Sequence, residues 1–234
     1  MSISTSYSWH MSAQMLVNAA LRKLGVISGG ETPATYQIQN GYEVLNSMLL
    51  SFQADGMPVW IMTSATFTTT TTNTYLVGTG QTINTPMPLK IVQAWRSTSG
   101  QANIPLNIYT DNNFNLLPQI ASPGTPVNLY YQPGEYTVGT IKLWPTPQDS
   151  SNTITIRYQK PFADITTDLD EIDFPRYWYE AVIYGLADRL APEYGIPIQD
   201  RQLLKQEAEM KHATALSFGT EEGSLYFAPD WVGQ

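Results

Sequence analysis

The spacing of apolar residues changes twice along the chain, and this change most constrains the fold. Near both ends apolar residues recur every three or four positions, as in Leu16, Ala20 and Leu24, which is the spacing of one helix face. Between Pro58 and Pro161 they instead occur in short alternating runs, separated by Gly, Pro, Asn and Thr, which is typical of strands. The sequence therefore predicts a β region inserted between two helical regions.

Two helices are predicted on each side of the β region, and their ends carry recognisable signals. Ser12 is a suitable N-cap for the first helix, and Gly25 is a suitable stop. Thr32 and Pro33 resemble a cap followed by the first helical position of the second helix. The predicted helices cover residues 12–24, 32–54, 175–191 and 199–216.

The β region contains seven candidate strands. The strictest alternation is Ile154-Thr-Ile156-Arg-Tyr158, which predicts a strand with one buried face. Strands and turns at this spacing favour an antiparallel sandwich or small barrel, and the Thr-rich run 68–72 is predicted to be an exposed hairpin tip. The predicted strands cover residues 59–69, 74–77, 90–97, 104–109, 127–132, 140–144 and 153–159.

The predicted fold class is α+β, with a helical bundle formed by the N- and C-terminal helix pairs and an inserted antiparallel β-sandwich or small barrel. The predicted segments are an N-terminal helical hairpin (1–57), the β domain (58–164), the C-terminal helices (165–217) and a tail (218–234). The tail is short but rich in apolar residues, which predicts that it docks onto another surface.

Composition favours protein–protein contact over nucleic-acid binding. Only 14% of residues are charged, against about a quarter in ordinary soluble domains, and 12% are aromatic. Such a surface leaves few charges to desolvate at an interface. The net charge is −8 and arises entirely after residue 148, with no basic stripe for phosphates. No membrane span is predicted, and the first twelve residues lack the features of a signal peptide.

Motifs for catalysis or cofactor binding are absent from the sequence. There is no cysteine, and the two histidines, His10 and His212, are predicted to be solvated. The glycine-rich run at 77–82 has no following helix that could present N–H groups to phosphate. The prediction is therefore no catalytic residue, no metal and no cofactor.

Carboxylates are the remaining candidates for catalysis or metal binding. The clustered carboxylates most simply belong to a solvated loop before a helix, because negative charge is favourable near a helix N-terminus. Two alternatives stay open: a glycosidase pair, and a calcium site through Asp168, Asp170 and Asp173, although the glycine and distal glutamate of an EF-hand loop are missing. The acidic residues concerned are Asp164, Asp168, Asp170, Glu171, Asp173 and Glu193.

The stretch Leu143-Trp144-Pro145-Thr146-Pro147 ends a predicted strand abruptly, because Pro lacks the N–H that a ladder needs. Trp144 is most simply a structural residue that caps the β core. It is also suited to stack on a sugar or to serve as a hot spot between subunits.

The ordered motifs resemble those of phage head-to-tail adaptor proteins, the tail accessory or head-completion factors of short-tailed phages. The resemblance covers about residues 13–215, and "LAPEYG" at 190–195 is its most specific part. The segments that carry it are "LVNAALRKLGVISGGETPATYQIQNGYEVLNSMLLSFQADGM", "GTPVNLYYQP", "IKLWPTPQ", "ITIRYQKPF" and "FPRYWYEAVIYGLADRLAPEYG". The Thr-rich run 68–72 and the aromatic tail depart from the pattern.

The resemblance implies a structural, non-enzymatic virion protein at the neck between capsid and tail. It implies a ring of about twelve subunits that binds the portal protein, extends the DNA channel without binding DNA specifically, and carries the tail or nozzle proteins. The last helix and the tail residues Leu225, Tyr226, Phe227 and Trp231 are expected to contact the portal.

Trp144, Trp178 and Tyr184 are the expected subunit contacts. The alternatives are a virion-associated cell-wall glycoside hydrolase and a carbohydrate-binding tail module.

Overall fold

The computed structural model describes residues 9–54, 62–98 and 103–219. The chain divides into two compact units: residues 1–59 and 163–234 form one, called here the helical unit, and residues 60–162 form the other, the β unit. The predicted α+β class is confirmed. The helical unit combines the two ends of the chain, whereas the β unit is one continuous segment.

The predicted helices are present with small shifts at their ends. A short 3-10 turn, Arg176–Trp178, leads directly into the third predicted helix. The second helix begins at Thr35, so Pro33 precedes it and does not open it; the Gln37 side chain accepts a hydrogen bond from the Ala34 N–H at 2.8 Å. The α-helices of the described residues are α1 (Ala13–Lys23), α2 (Thr35–Ala54), α3 (Asp111–Asn115), α4 (Tyr179–Leu190) and α5 (Ile198–Gly219).

The ends of α1 follow the sequence signals. Ser12 Oγ accepts a hydrogen bond from the Met15 N–H at 3.4 Å, as an N-cap does. Gly25 has φ +69°, a left-handed conformation that side chains disfavour, and its N–H donates to the Arg22 carbonyl. The local sequence is thus sufficient to set both ends of this helix.

Helix α4 is the central element of the helical unit, because it contacts α1, α2 and α5. Its inward face contains Val182, Leu186 and Leu190, all fully buried. Helices α1 and α2 also touch each other. A Cβ at Gly41 of α2 would lie 2.5 Å from a Val17 methyl of α1, so glycine is required for this close approach.

The β unit contains two open sheets, and no closed barrel forms among the described residues. One sheet has the strand order β1-β9-β4-β5, and the other has the order β3-β2-β8-β7-β6. The strands are β1 (Met62–Thr68), β2 (Thr74–Gly78), β3 (Ile83–Asn84), β4 (Lys90–Thr98), β5 (Ile104–Pro105), β6 (Asn107–Tyr109), β7 (Asn128–Gln132), β8 (Val138–Trp144) and β9 (Asn152–Gln159).

The two sheets share one hydrophobic core. Strand β9 supplies Ile154, Ile156 and Tyr158 from one sheet, and β8 supplies Ile141 and Leu143 from the other. Burial alternates along both strands, as the sequence pattern predicts. Burial of these side chains favours folding by about 25 cal/mol for each Å² of apolar surface removed from water.

Three sequence expectations about the β unit are wrong. The sheets are mixed, because the short pairs β2·β3 and β6·β7 are parallel. The predicted strand 104–109 is divided between the two sheets at Leu106. Residues 68–72 do not form a hairpin tip, because β1 and β2 belong to different sheets. Each error concerns strand pairing, which depends on distant residues and not on local alternation.

The Thr-rich connection is organised around Tyr75. Its hydroxyl accepts a hydrogen bond from the Thr70 N–H at 2.9 Å and donates to the Thr72 carbonyl at 2.9 Å. Thr69 is fully buried, and its hydroxyl donates to the carbonyls of Asp149 and Asn152. The Thr-rich run therefore connects the two sheets in a conformation that these hydrogen bonds stabilise.

Candidate functional site

Four aromatic rings pack together inside the helical unit. Phe52 of α2 lies 5.9 Å from Trp178, 6.3 Å from Phe174 and 5.0 Å from the His212 ring of α5, measured between ring centroids. His212 is thus half-buried and stacked, so the expectation of a solvated His212 is wrong. His10 is exposed, as expected. The cluster joins α2, the 3-10 turn and α5, which makes it a packing core.

The acidic segment before α4 is held in shape by its own hydrogen bonds. Asp170 accepts hydrogen bonds from the N–H groups of Thr166 and Thr167, both at 2.7 Å, and from their hydroxyls at 3.1 and 2.7 Å. These bonds, with that from the Thr166 N–H the most important, stabilise the carboxylate and lower the pKa of Asp170 to about 2. The Asp170 carboxylate therefore stabilises the conformation of its own loop.

The same segment is attached to α2 by side chains. Asn46 pairs with the backbone of Ile165 through two hydrogen bonds of 2.9 Å. The Tyr42 hydroxyl donates to Asp168 at 2.7 Å. Burial raises the pKa of Tyr42, and the hydrogen bond to Asp168 raises it further. We call residues 163–173 the acidic clasp, because this segment joins the two ends of the chain.

The acidic clasp also reaches α1 through the backbone. The Ala13 N–H donates to the Asp170 carbonyl at 2.8 Å, and Ser12 forms an isolated bridge with Glu171. Residues near the start of the chain are thereby fixed to residues more than 150 positions later.

These contacts weaken the catalytic and calcium alternatives. Both Asp170 oxygens are used within the loop, and Asp168 binds Tyr42. Within residues 9–54, 62–98 and 103–219, no three His, Cys, Asp or Glu side chains are grouped to hold a metal ion. Asp168 and Asp170 therefore have structural roles that need no ligand.

Helix α5 leaves large apolar side chains on the surface. Its buried positions include Ala208 and Ala215, both small. The exposed side chains on this helix include Ile198, Leu203, Met210 and Phe218, with 53–74% of their surface accessible. Several such side chains along one helix are a common feature of protein–protein contact surfaces.

A second open surface lies in the β unit. A groove of about 430 Å³ runs along β4, β5 and β6 and includes Val92, Trp95 and Ile108. Val92 and Ile108 are 41% and 38% exposed. The groove is shallow and apolar, and it lies at the edge of both sheets.

Residues 11–221 match the model of the SU10 adaptor protein family, which covers most of both units. The chain belongs to the SU10 adaptor protein family. The predicted resemblance to phage head-to-tail adaptors is thereby confirmed. No curated protein matches the chain. Among the helices of the described segments, none has the length and apolar character needed to cross a membrane.

The residues expected at subunit contacts of this adaptor-family chain lie in different environments. Trp178 is only 1% exposed, so it is a core residue, and an interface with another subunit cannot use its side chain. Tyr184 is half-buried on α4, and its hydroxyl accepts a hydrogen bond from Lys23 Nζ at 3.0 Å. The expected portal contacts Leu225, Tyr226, Phe227 and Trp231 lie outside the described residues.

Trp144 is half-buried at the end of β8, directly after the fully buried Leu143. Its indole N–H donates to the Gln119 carbonyl at 3.4 Å, and its own carbonyl accepts from the Val127 N–H at 3.0 Å. The Trp144–Pro145 peptide is cis. Thr146 then bridges to Pro123. Trp144 is thus a fixed corner of the β unit, with part of its ring accessible.

The groove at β4–β6 was not predicted from the sequence. A local signal existed, since Pro105 interrupts the predicted strand 104–109 and lacks the N–H of a central strand residue. This signal does not reveal that residues 107–109 join the other sheet, because they pair with β7, some twenty residues later in the chain.

Proposed function

We propose that this chain is a structural, non-enzymatic subunit of the phage neck, which forms a ring of about twelve copies on the portal. The ring extends the DNA channel and provides the platform for tail or nozzle proteins. The single observation that carries the proposal is the family match, because it spans both units and the family name describes an adaptor. The acidic clasp supports it, since two of its carboxylates, Asp168 and Asp170, already have structural roles.

Helix α5 is the proposed portal contact. Leu203 and Met210 are 63% and 53% exposed on its surface, although the helix is long and packs against α4. Docking against the portal would bury these side chains and gain the corresponding hydrophobic free energy. The sequence-based expectation named this helix and the tail together, and the proposal here rests on the helix.

The helical unit is proposed to surround the channel, on the basis of charge. Residues 1–59 and 163–234 contain 7 basic and 17 acidic residues, whereas residues 60–162 contain 5 basic and 3 acidic. An acidic wall repels DNA phosphates and lets the duplex slide without specific binding. The β unit then faces the outside or the tail.

Neighbouring subunits of a ring meet through two different surfaces, because a head-to-tail interface repeats around the axis. We assign Trp144 and Tyr184 to these surfaces. Both side chains are half-buried and aromatic, a combination that suits interface residues.

The test combines the purified full-length chain with purified portal assemblies. Rings should appear on the portal in electron micrographs, and the chain should co-sediment with it, while the chain alone stays monomeric or weakly associated. Failure to co-sediment, together with absence of the chain from the portal vertex in virion reconstructions, would overturn the proposal.

Two matched variants test the role of α5. Leu203→Asp places a charge in the proposed contact and should abolish co-sedimentation with the portal. Leu116→Asp makes the same change at a 74% exposed position of the β unit and should leave co-sedimentation unchanged. Equal effects of the two variants would remove α5 from the portal contact.

A further inference from the structure

The groove in the β unit exists because the chain steps from one sheet to the other at Leu106. The Leu106 N–H donates to the Ala94 carbonyl of β4 at 2.9 Å, while the next N–H, of Asn107, donates to the Val127 carbonyl at 3.0 Å. Strands β5 and β6 therefore belong to different sheets although one residue separates them. Leu106 itself is buried beneath the groove.

Both sheets end at this groove. Strand β5 pairs with β4 only at Trp95 and Arg96, and among the described residues no strand pairs with residues 90–93 on that side. Strand β6 is the last strand of its sheet, with β7 as its partner there. Sheet edges offer N–H and C=O groups to an additional extended segment.

The shape of β4 makes its edge more accessible. The register between β4 and β9 shifts between Ile91 and Gln93, so Val92 lies in a bulge and is 41% exposed. Together with Ile108 and Trp95 it gives the groove an apolar lining. Alternate side chains of an added strand would find apolar contacts there.

Charge favours an acidic occupant. Lys90 is exposed at the start of β4, and Arg96 is half-buried further along. The next carboxylate along the chain, Asp111 just after β6, accepts a hydrogen bond from the Tyr130 hydroxyl at 2.8 Å. The β unit as a whole has more basic than acidic residues.

The C-terminal tail has the matching chemistry. Residues 220–234 contain Glu221, Glu222 and Asp230 and no basic residue. Residues 224–228, Ser-Leu-Tyr-Phe-Ala, form an apolar run between Gly223 and Pro229. Five extended residues span about 17 Å, which is enough to cover the open edge at residues 90–93. The fifteen residues after α5 can reach about 50 Å.

We propose that the groove between β4 and β6 binds the C-terminal tail of a second copy of this chain, with residues 224–228 as an added strand. The inference rests on the proposed ring, which places copies side by side. It assigns Leu225, Tyr226 and Phe227 to a neighbouring subunit and not to the portal. Each subunit thereby receives a strand from one neighbour.

Binding is measured with a fluorescein-labelled peptide of residues 220–234. The receptor is the full-length chain with Leu225→Ser and Phe227→Ser, which keeps its length but disables its own tail. Fluorescence anisotropy should show saturable binding. A peptide with the same two serines should not bind, because it lacks the apolar contacts.

Matched groove variants locate the site. Ile108→Asp in the receptor should weaken peptide binding about 10-fold or more, since it places a charge where an apolar contact is buried. Leu76→Asp makes the same change at a 42% exposed position of β2, three strands from β6, and should change binding less than about 2-fold. Thermal unfolding confirms that both variants fold.

Hydrogen exchange distinguishes strand addition from other docking. The peptide should protect backbone amides within residues 90–93 and at Ile108. Absence of binding, equal binding by the Ile108→Asp receptor, or protection confined to the helical unit would each overturn the proposal. Dimers of the tail-disabled chain that form through these edges would also overturn it, because the edges would then pair with each other.

The portal assay separates this inference from the proposed function. If the unaltered chain binds the portal but the peptide does not bind the groove, the tail proposal fails and the adaptor function stands. If the unaltered chain does not bind the portal, the adaptor function fails by its own test.

Discussion

The helical unit and the β unit are built from the chain in opposite ways. The helical unit joins residues 1–59 to residues 163–234, so contacts such as Asn46 to Ile165 connect positions 119 apart. The β unit is the uninterrupted segment 60–162. Closing a long loop costs conformational entropy, which packing must offset. The helical unit therefore needs specific contacts between its two chain segments, and the acidic clasp provides them.

The two units also differ in what they expose. The helical unit carries an excess of acidic residues and apolar side chains along α5, whereas the β unit is slightly basic and has open sheet edges. Different partners suit the two surfaces: a protein surface for the helix and an extended acidic segment for the edges.

The largest expected effect is a loss of stability in the helical unit that leaves the β unit unchanged. Trp178→Ala should lower the free energy of unfolding of this unit by about 3–5 kcal/mol, because the buried ring packs against Phe52 of α2 and His212 of α5. Calorimetry should show an earlier transition for the helical unit and an unchanged one for the β unit. One shared transition that moves as a whole would show that the units unfold together.

The counterpart in the β unit is Leu143→Ala. Leu143 is fully buried in the core shared by the two sheets, so the cavity should cost about 2–5 kcal/mol. The same calorimetric experiment should now move the β transition. If this variant destabilises the helical unit equally, the comparison between independent units is wrong.

A smaller effect tests the passage between the two sheets. Tyr75→Phe removes the hydroxyl that binds Thr70 and Thr72 and should destabilise the β unit by about 1–2 kcal/mol. Chemical denaturation measures this change. Tyr136→Phe removes a hydroxyl from an 86% exposed side chain and serves as the control, with no measurable effect expected.

The smallest expected effect is the pH response of the acidic clasp. Because the fold lowers the pKa of Asp170 to about 2, its contribution to stability is fully present above the unfolded pKa of about 3.9 and is lost as pH falls toward 2. Amide exchange at Thr166 and Thr167, followed by NMR, should accelerate in that interval. Asp170→Asn should remove this pH dependence, and a response centred near pH 4 would contradict the assignment.

Local signals were sufficient for most elements. Ser12 and Gly25 set the ends of α1, and alternation along residues 154–158 identified both the strand and its buried face. Local signals failed at residues 104–109, where two sheets compete for one extended segment. Trp178 has the helical spacing of the buried residues Val182 and Leu186, which favours burial, yet it was expected at a subunit contact. Its contacts with α2 and α5 show that it is a core residue.

Periodicity, caps and ordered motifs are properties of neighbouring residues, so the sequence was sufficient for the fold class, the four long helices, most of the strands and the kinship with phage adaptors. Only the tertiary structure decided which strands pair, that the acidic segment is a clasp, and that two sheet edges border one groove. The physical reason is that hydrogen-bond partners and burial are set by residues far apart in the chain, whose contacts must together offset the entropy of bringing them together.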